Sequence, residues 1–283
     1  MRLSVVTTIT DVRRATAAAR EQGRTVGFVP TMGALHEGHA ALVRAAKVAS
    51  DFVVVSIFVN PTQFGPKEDF AKYPRTLDAD QKLCGTAGAD LIFAPTVEEM
   101  YPEHSVTFVD TGTLGDHLCG ATRPGHFRGV CTVVMKLFNI VQPDRSHFGA
   151  KDYQQARIIA QMVRDLNVPV EVHVEPTVRE PDGLALSSRN RYLSAAERAL
   201  APRLQKALQA TRERAQAGEI DAARLESALH AELSAIPGAR VDYARVVDAK
   251  TLQPLARLDR PAVAAVAVFL GTTRLIDNLT LPA

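Results

Sequence analysis

The order of apolar and polar positions changes period repeatedly along the chain, and the first half alternates in a regular way. After a first short strand, "TDVRRATAAAREQG" has a cap at Thr10 or Asp11, alanine-rich helical spacing and a terminal Gly23, so a helix is expected. "TVGFVP" then reads as a buried strand and "HAALVRAAKVAS" as the next helix. "DFVVVSIFVNP" is an unbroken β-branched and aromatic run ending at Asn60 and Pro61, the pattern of a parallel strand covered on both faces. The theme recurs in the strand "DLIFAP", the helix "GVCTVVMKLFNIV", a short strand ending near Gly149, the helix "QQARIIAQMVRDL" and the strand "PVEVHVEP". Repeated strand–helix–strand units imply an α/β fold with a mostly parallel sheet.

The character changes near Pro176. "TVREPDGLALSSRN" is polar, with Pro181 and Gly183, and reads as a loop. Beyond it, "SAAERALAPRLQKALQATRERAQAG" and "DAARLESALHAELSAI" predict two helices, and "VDYARVVD" and "AVAAVAVFL" two strands. The expected organisation is an α/β domain over residues 1–176 and a smaller α+β domain over 177–283. A length of 283 residues exceeds the usual ~100 to 200 of one domain, in keeping with that division.

Composition narrows the partners. A formal net charge of +2 without a block of like charges argues against a nucleic-acid surface. Cys84, Cys119 and Cys131 form no CxxC pair, so neither a disulfide framework nor a cysteine zinc site is indicated. No secretory leader or membrane span is legible, and a cytoplasmic protein is expected.

In an open parallel sheet, ligands bind outside the carboxyl ends of the strands, where loops lead into helix N-termini. "PTMGALHEGH" occupies such a corner and brings His36 and His39 onto one helical face, where free N–H groups and the positive end of the helix dipole attract an anion, most naturally a nucleotide phosphate. A zinc reading fails on spacing, because HExxH needs one more residue than "HEGH" has and no third ligand stands nearby. Gly38 lets a phosphate or flat ring approach the backbone. No GxSxG elbow or recognisable catalytic cysteine accompanies it, so no enzyme nucleophile is expected.

"HEGH" resembles the HxGH motif of the nucleotidyltransferase superfamily. The longer blocks "PTMGALHEGH", "VVSIFVNPTQF", "YPRT", "RPGHFRGVCTVVMKLF", "FGAKDYQQ", "DGLALSSRN" and "TRLIDN" resemble the pantothenate synthetase family, in the family's order from residue 30 to residue 278. The resemblance implies a Rossmann-like nucleotidyltransferase domain and a C-terminal lid with the SSRN loop at its start. It implies condensation of pantoate with β-alanine through a pantoyl adenylate, consuming ATP and releasing AMP and diphosphate. The same likeness and the long apolar strand regions make a homodimer the expectation, and no nucleic-acid or membrane partner is expected from the charge and the lack of an apolar span.

The resemblance also distributes roles. His36, His39, Lys151, Ser187, Ser188 and Arg189 neutralise phosphate charge, with His39 as proton donor. Met32, Gly33, Gly38, Gly149 and Asp152 border the nucleotide together with these, and Val178 and Leu186 flank the adenine. Gln63, Gln155, Asn60 and Tyr73 bind pantoate or β-alanine. Mg²⁺ bridges the triphosphate, and Asp80, shortly after "YPRT", is the carboxylate expected to hold it. Thr62 and Leu186 stand where the family often carries Met; Leu186 keeps volume and apolarity, whereas Thr62 could reshape the substrate wall. A related cytidylyltransferase or synthetase fragment fits the glutamine blocks and the near-neutral charge less well. A non-catalytic nucleotide-binding protein would be expected to lack His39, Lys151 or Arg189, and all three are present.

Overall fold

A computed structural model of the chain describes residues 3–66, 68 and 70–282. In chain order its elements are β1 (Ser4–Val6), α1 (Ile9–Glu21), β2 (Val26–Thr31), α2 (Glu37–Ala49), β3 (Phe52–Ile57), α3 (Leu77–Ala87), β4 (Leu91–Phe93) and α4 (Val97–Met100). Then come α5 (Cys119–Thr122), α6 (His126–Val141), β5 (Arg145–Gly149), α7 (Tyr153–Asp165) and β6 (Glu171–Glu175). Helices α8 (Ala195–Leu200), α9 (Arg203–Gln216) and α10 (Ala222–Ser234) precede strands β7 (Ala239–Asp248), β8 (Ala262–Leu270) and β9 (Thr273–Leu281). The chain forms two compact units, one of residues 1–111, 123–150 and 155–176, the other of 112–122, 151–154 and 177–283. Two short segments, 112–122 and 151–154, thus cluster with the second unit although they precede the boundary expected after residue 176.

The first unit is built on a six-stranded sheet in the order β1-β4-β3-β2-β5-β6, and every neighbouring pair is parallel. Five of the six β3 residues are buried, which is why that strand carries no polar alternation. Helix α2 packs over β2, β3 and β5, burying Ala40, Val43 and Ala46 with Val29, Val53 and Val55. Helix α6 is apolar around most of its circumference, and its Phe138 ring meets the edges of Phe28 and Phe148 at 6.4 and 6.5 Å. Each such aromatic, fully withdrawn from water, stabilises the core by about 1.5–3 kcal/mol. From β2 the strands run through β3 to β4 on one side, while β5 and β6 lie on the other. The reversal therefore falls between β2 and β5, where an open α/β sheet leaves a crevice at its carboxyl edge.

The second unit is a three-stranded antiparallel sheet, β7-β8-β9, with α9 and α10 packed on it. Alternate β8 residues enter two cores: Ala264, Val266 and Val268 join Leu204, Leu208, Leu225 and Leu229, whereas Val263 and Ala265 join Leu118, Val247 and Leu252. The expected α/β plus smaller α+β class is what forms. Two details differ from the sequence pattern. The first C-terminal helix is broken in two, because Pro202 has no N–H to continue the ladder from α8 into α9. Strand β9 escapes the pattern reading because Asp277 and Asn278, polar and both buried, interrupt its apolar alternation.

Candidate active site

The β2–α2 turn is held from several sides. Thr31 Oγ1 donates to the Ser56 carbonyl at 2.7 Å and accepts the Gly33 N–H at 3.2 Å. Gly33 has φ +80°, and a Cβ there would stand 3.0 Å from Ile57 and 3.1 Å from Asp80, so a side chain would be both strained and crowded. Ala34, fully buried, is also left-handed at φ 51°. What holds it there is the Asp80 carboxylate from α3, which accepts the Ala34 N–H at 3.0 Å, the Leu35 N–H at 2.8 Å and the Thr76 hydroxyl at 3.2 Å. Asp80 is 2% exposed. Its oxygens hold the turn, a positioning duty beside the metal role expected from the sequence.

That turn delivers the histidines. His36 is the N-cap of α2, its Nδ1 accepting the Gly38 N–H at 3.2 Å, while Nδ1 of His39 accepts the His36 N–H at 3.3 Å. The two rings thereby perform the reciprocal capping that Ser and Glu perform in other helices, and their centroids are 4.1 Å apart. A ring nitrogen that accepts carries no proton. These contacts engage Nδ1 of each ring, so Nε2 is the nitrogen that can donate, at a helix N-terminus beside the crevice of the sheet.

The next strand end supplies an amide. Asn60, 1% exposed, accepts at Oδ1 from the Thr62 hydroxyl and the Tyr101 phenol, both at 2.9 Å, and its amide nitrogen donates to Gln63 Oε1 at 3.0 Å and the Gly129 carbonyl at 3.2 Å. Burial raises the Tyr101 phenol's pKa, which keeps it a donor. Asn60, expected to bind substrate, thus has both kinds of polar atom bonded inside the protein and orients Gln63. With Oε1 taken, Gln63 presents Nε2, which lies 3.1 Å from Met32 Sδ. The turn Pro61–Gln63 can sit this close to α6 only because residue 129 is glycine, since a Cβ there would fall 2.4 Å from the Thr62 carbonyl oxygen and 2.7 Å from the Gln63 nitrogen. The Gln63 carbonyl is held as well, accepting from His126 Nδ1 at 2.8 Å. Arg123 in turn donates to His126 Nε2 at 2.9 Å and to both Glu68 oxygens at 2.6 Å. Burial works against the Glu68 carboxylate, but the Arg123 bonds outweigh it and hold its pKa below the ordinary value. Tyr73 is buried against Phe64, with ring centroids 6.0 Å apart.

The second unit arranges its own candidates. Val178 and Leu186 face each other across a two-stranded turn, the Leu186 N–H donating to the Val178 carbonyl at 3.0 Å. Arg179 within that turn makes two bonds, 2.6 and 2.9 Å, to buried Asp277 of β9. Asn278 beside it donates to the Lys151 carbonyl at 2.9 Å. The pair Asp277–Asn278 that disguises β9 is therefore what fixes both the adenine-turn candidates and the backbone of Lys151. Lys151 Nζ lies 3.8 Å from the Asp152 carboxylate. Ser187 accepts the Arg189 N–H at 3.3 Å and opens the 3₁₀ turn Ser188–Tyr192. Of the two glutamines in "YQQ", Gln154 is buried and spent on the fold, bonding the Leu114 and His117 carbonyls and the Cys119 N–H. Gln155 follows it in the first turn of α7, assigned to the first unit.

The model of the pantoate–β-alanine ligase family matches residues 4–280. The chain belongs to that family. Among its relatives, the pantothenate synthetase of Moorella thermoacetica is 55% identical over 279 residues, covering 99% of each chain. That of Pseudomonas putida is also 55% identical, over 98% of this chain and 97% of its own. The solved structure of the Thermus thermophilus ligase superposes with a TM-score of 0.93 at 51% identity, over 99% of this chain and all of that one. The ligase from Francisella tularensis, solved with β-γ ATP and β-alanine, gives 0.80 at 33% identity over 98% of this chain and 97% of its own.

Sequence reading of this ligase missed the supporting residues: Asp80 as a brace of the turn, Gly129, Arg123, His126, Glu68, Asp277 and Asn278. A signal existed for two of them, since an Asp-Asn pair inside an apolar run is costly unless it is bonded. The Thr62 departure also gains a reason, because its hydroxyl joins the Asn60–Tyr101 network.

Proposed function

We infer that this ligase condenses pantoate with β-alanine at the expense of ATP, and that its residues divide the work between charge neutralisation and substrate orientation. The observation that carries the reading is the His36–His39 pair that caps the N-terminus of α2, at the reversal point of the sheet. A pantoate carboxylate attacking the α-phosphorus needs charge taken up on the phosphate oxygens and an in-line approach, and no enzyme nucleophile. His36 and His39 donate hydrogen bonds to those oxygens, and the bond from His39 Nε2–H stabilises the departing diphosphate without the proton being given up. Lys151, Ser187, Ser188 and Arg189 add cations and hydroxyls suited to phosphate, while Met32, Gly33, Gly38, Gly149 and Asp152 offer backbone and small surfaces to the nucleotide. Val178 and Leu186 border the adenine.

Gln63 presents its N–H to an oxygen of pantoate, oriented by Asn60, with Gln155 and Tyr73 as further substrate contacts. The β-alanine amine then attacks the activated carbonyl and AMP leaves. Magnesium bound to the triphosphate would screen its oxygen charge; Asp80, already bonded to the turn, would have only its remaining lone pair to offer such an ion. Three buried free thiols suit a reducing cytoplasm, and the family likeness supports a homodimer. Among the described residues, no helix is long and apolar enough to cross a membrane. The test is isotopic. Pantoate labelled with ¹⁸O in its carboxylate should pass one labelled oxygen to AMP, because the bridging oxygen stays with phosphorus. Unlabelled AMP would contradict adenylation.

A further inference from the structure

Strands β5 and β6 carry a polar cluster that the ligation does not use. His147 and His173 are register partners on these neighbouring parallel strands, and their rings stack at 16° with centroids 4.8 Å apart. Glu175 lies two residues beyond His173, hence on the same face of the sheet, and its carboxylate reaches 2.8 Å from His147 Nδ1. One potential ligand atom from each of the three residues lies within 4.8 Å of the others. His147 is 1% exposed, and Nε2 of both rings is buried without a hydrogen-bond partner. Glu171 comes within 3.1 Å of His173 Nε2, but not in line for a hydrogen bond.

A buried polar nitrogen left unbonded is destabilising, and two on adjoining rings ask for an explanation. We propose that His147, His173 and Glu175 form a binding site for a divalent d-block cation of the zinc class, distinct from the magnesium that accompanies the nucleotide. Two imidazoles and one carboxylate are a borderline donor set, which selects zinc, cobalt or nickel over magnesium, an ion that prefers oxygen alone. Bonds of about 2.0–2.1 Å would draw the donors together. The nearly parallel rings direct their lone pairs side by side, so one must turn for both to reach the ion. His173 can do so, since it sits on the edge strand and its side chain is 32% exposed, whereas His147 is enclosed. Glu175 offsets the charge of the ion, giving up its bond to His147 Nδ1 to reach it.

The test uses Co²⁺, whose visible d–d absorption reports its ligands, on the full chain without an affinity tag and without nucleotide. The wild-type protein should bind one equivalent with a saturable band that Zn²⁺ abolishes. His173→Ala, a substitution at a half-exposed position, should lose the band, and Glu175→Gln should weaken binding at least tenfold. His39→Ala should bind as the wild type does. Circular dichroism melts confirm that each variant is folded. A wild-type titration without a saturable band, equal binding by His173→Ala, or loss of the band in His39→Ala would each overturn the site. None of these readings depends on ligase activity.

Discussion

Replacing Asp80 separates a positioning carboxylate from a metal ligand. Its two oxygens serve the N–H groups of Ala34 and Leu35, and Ala34 is held left-handed, a conformation that costs a non-glycine residue roughly 1–2 kcal/mol. Asp80→Asn keeps one acceptor and orphans one buried amide, at about 1–3 kcal/mol; Asp80→Ala orphans both, at about 2–6 kcal/mol. A shift of about 2 kcal/mol changes the opening equilibrium of this turn roughly 30-fold. Native-state hydrogen exchange should show Ala34 and Leu35 exchanging at least tenfold faster in Asp80→Asn, with a lower kcat as the His36–His39 pair loses its position. Raising the Mg²⁺ concentration should not restore the rate. Wild-type protection in the turn together with a raised Mg²⁺ requirement would refute this reasoning and return Asp80 to the metal.

Other perturbations give separate readouts. His39→Ala should lower kcat by roughly 10²–10³, about 2.7–4 kcal/mol of transition-state stabilisation, while circular dichroism shows the fold retained, since a lost cap costs only about 0.5–2 kcal/mol. Gln63→Leu or Gln155→Leu should raise the pantoate KM by about one to two orders of magnitude and leave that for ATP nearly constant; the opposite split, from steady-state kinetics, would put them at the nucleotide. Gly129→Ala forces a methyl group to 2.4 Å from the Thr62 carbonyl oxygen and should raise the pantoate KM through displacement of Gln63, with a stability loss of about 1–3 kcal/mol by urea denaturation. Because the folded-state pKa of Glu68 is depressed, its pairing with Arg123 stabilises above the unfolded carboxyl value and is lost as pH falls through the folded one. The urea midpoint of Glu68→Gln should therefore differ from wild type at neutral pH and converge with it as the wild-type carboxylate becomes protonated in acid.

The elements legible in the sequence were those whose burial has a period. β2, α2 and β3 follow from apolar runs and a glycine-bearing turn, and β8 coincides with "AVAAVAVFL" residue for residue. The candidate site was legible where chemistry lies in short consecutive blocks, as in "HEGH". It was illegible where one block supports another far along the chain: Asp80 beneath Ala34, Gly129 beneath Gln63, Asp277 beside Arg179. Such bonds join residues whose spacing carries no local pattern, and only the folded chain brings them together. Asn60 shows the same limit, since its neighbours in sequence do not reveal that a Tyr101 phenol and the Gly129 carbonyl occupy its amide.

Adenylation of pantoate is tested most directly by exchange of labelled diphosphate into ATP with β-alanine omitted. Exchange should require pantoate and Mg²⁺ and proceed without the amine, because the adenylate forms before β-alanine reacts. Exchange that is absent until β-alanine is added, or that runs equally well with a free amino acid in place of pantoate, would contradict it.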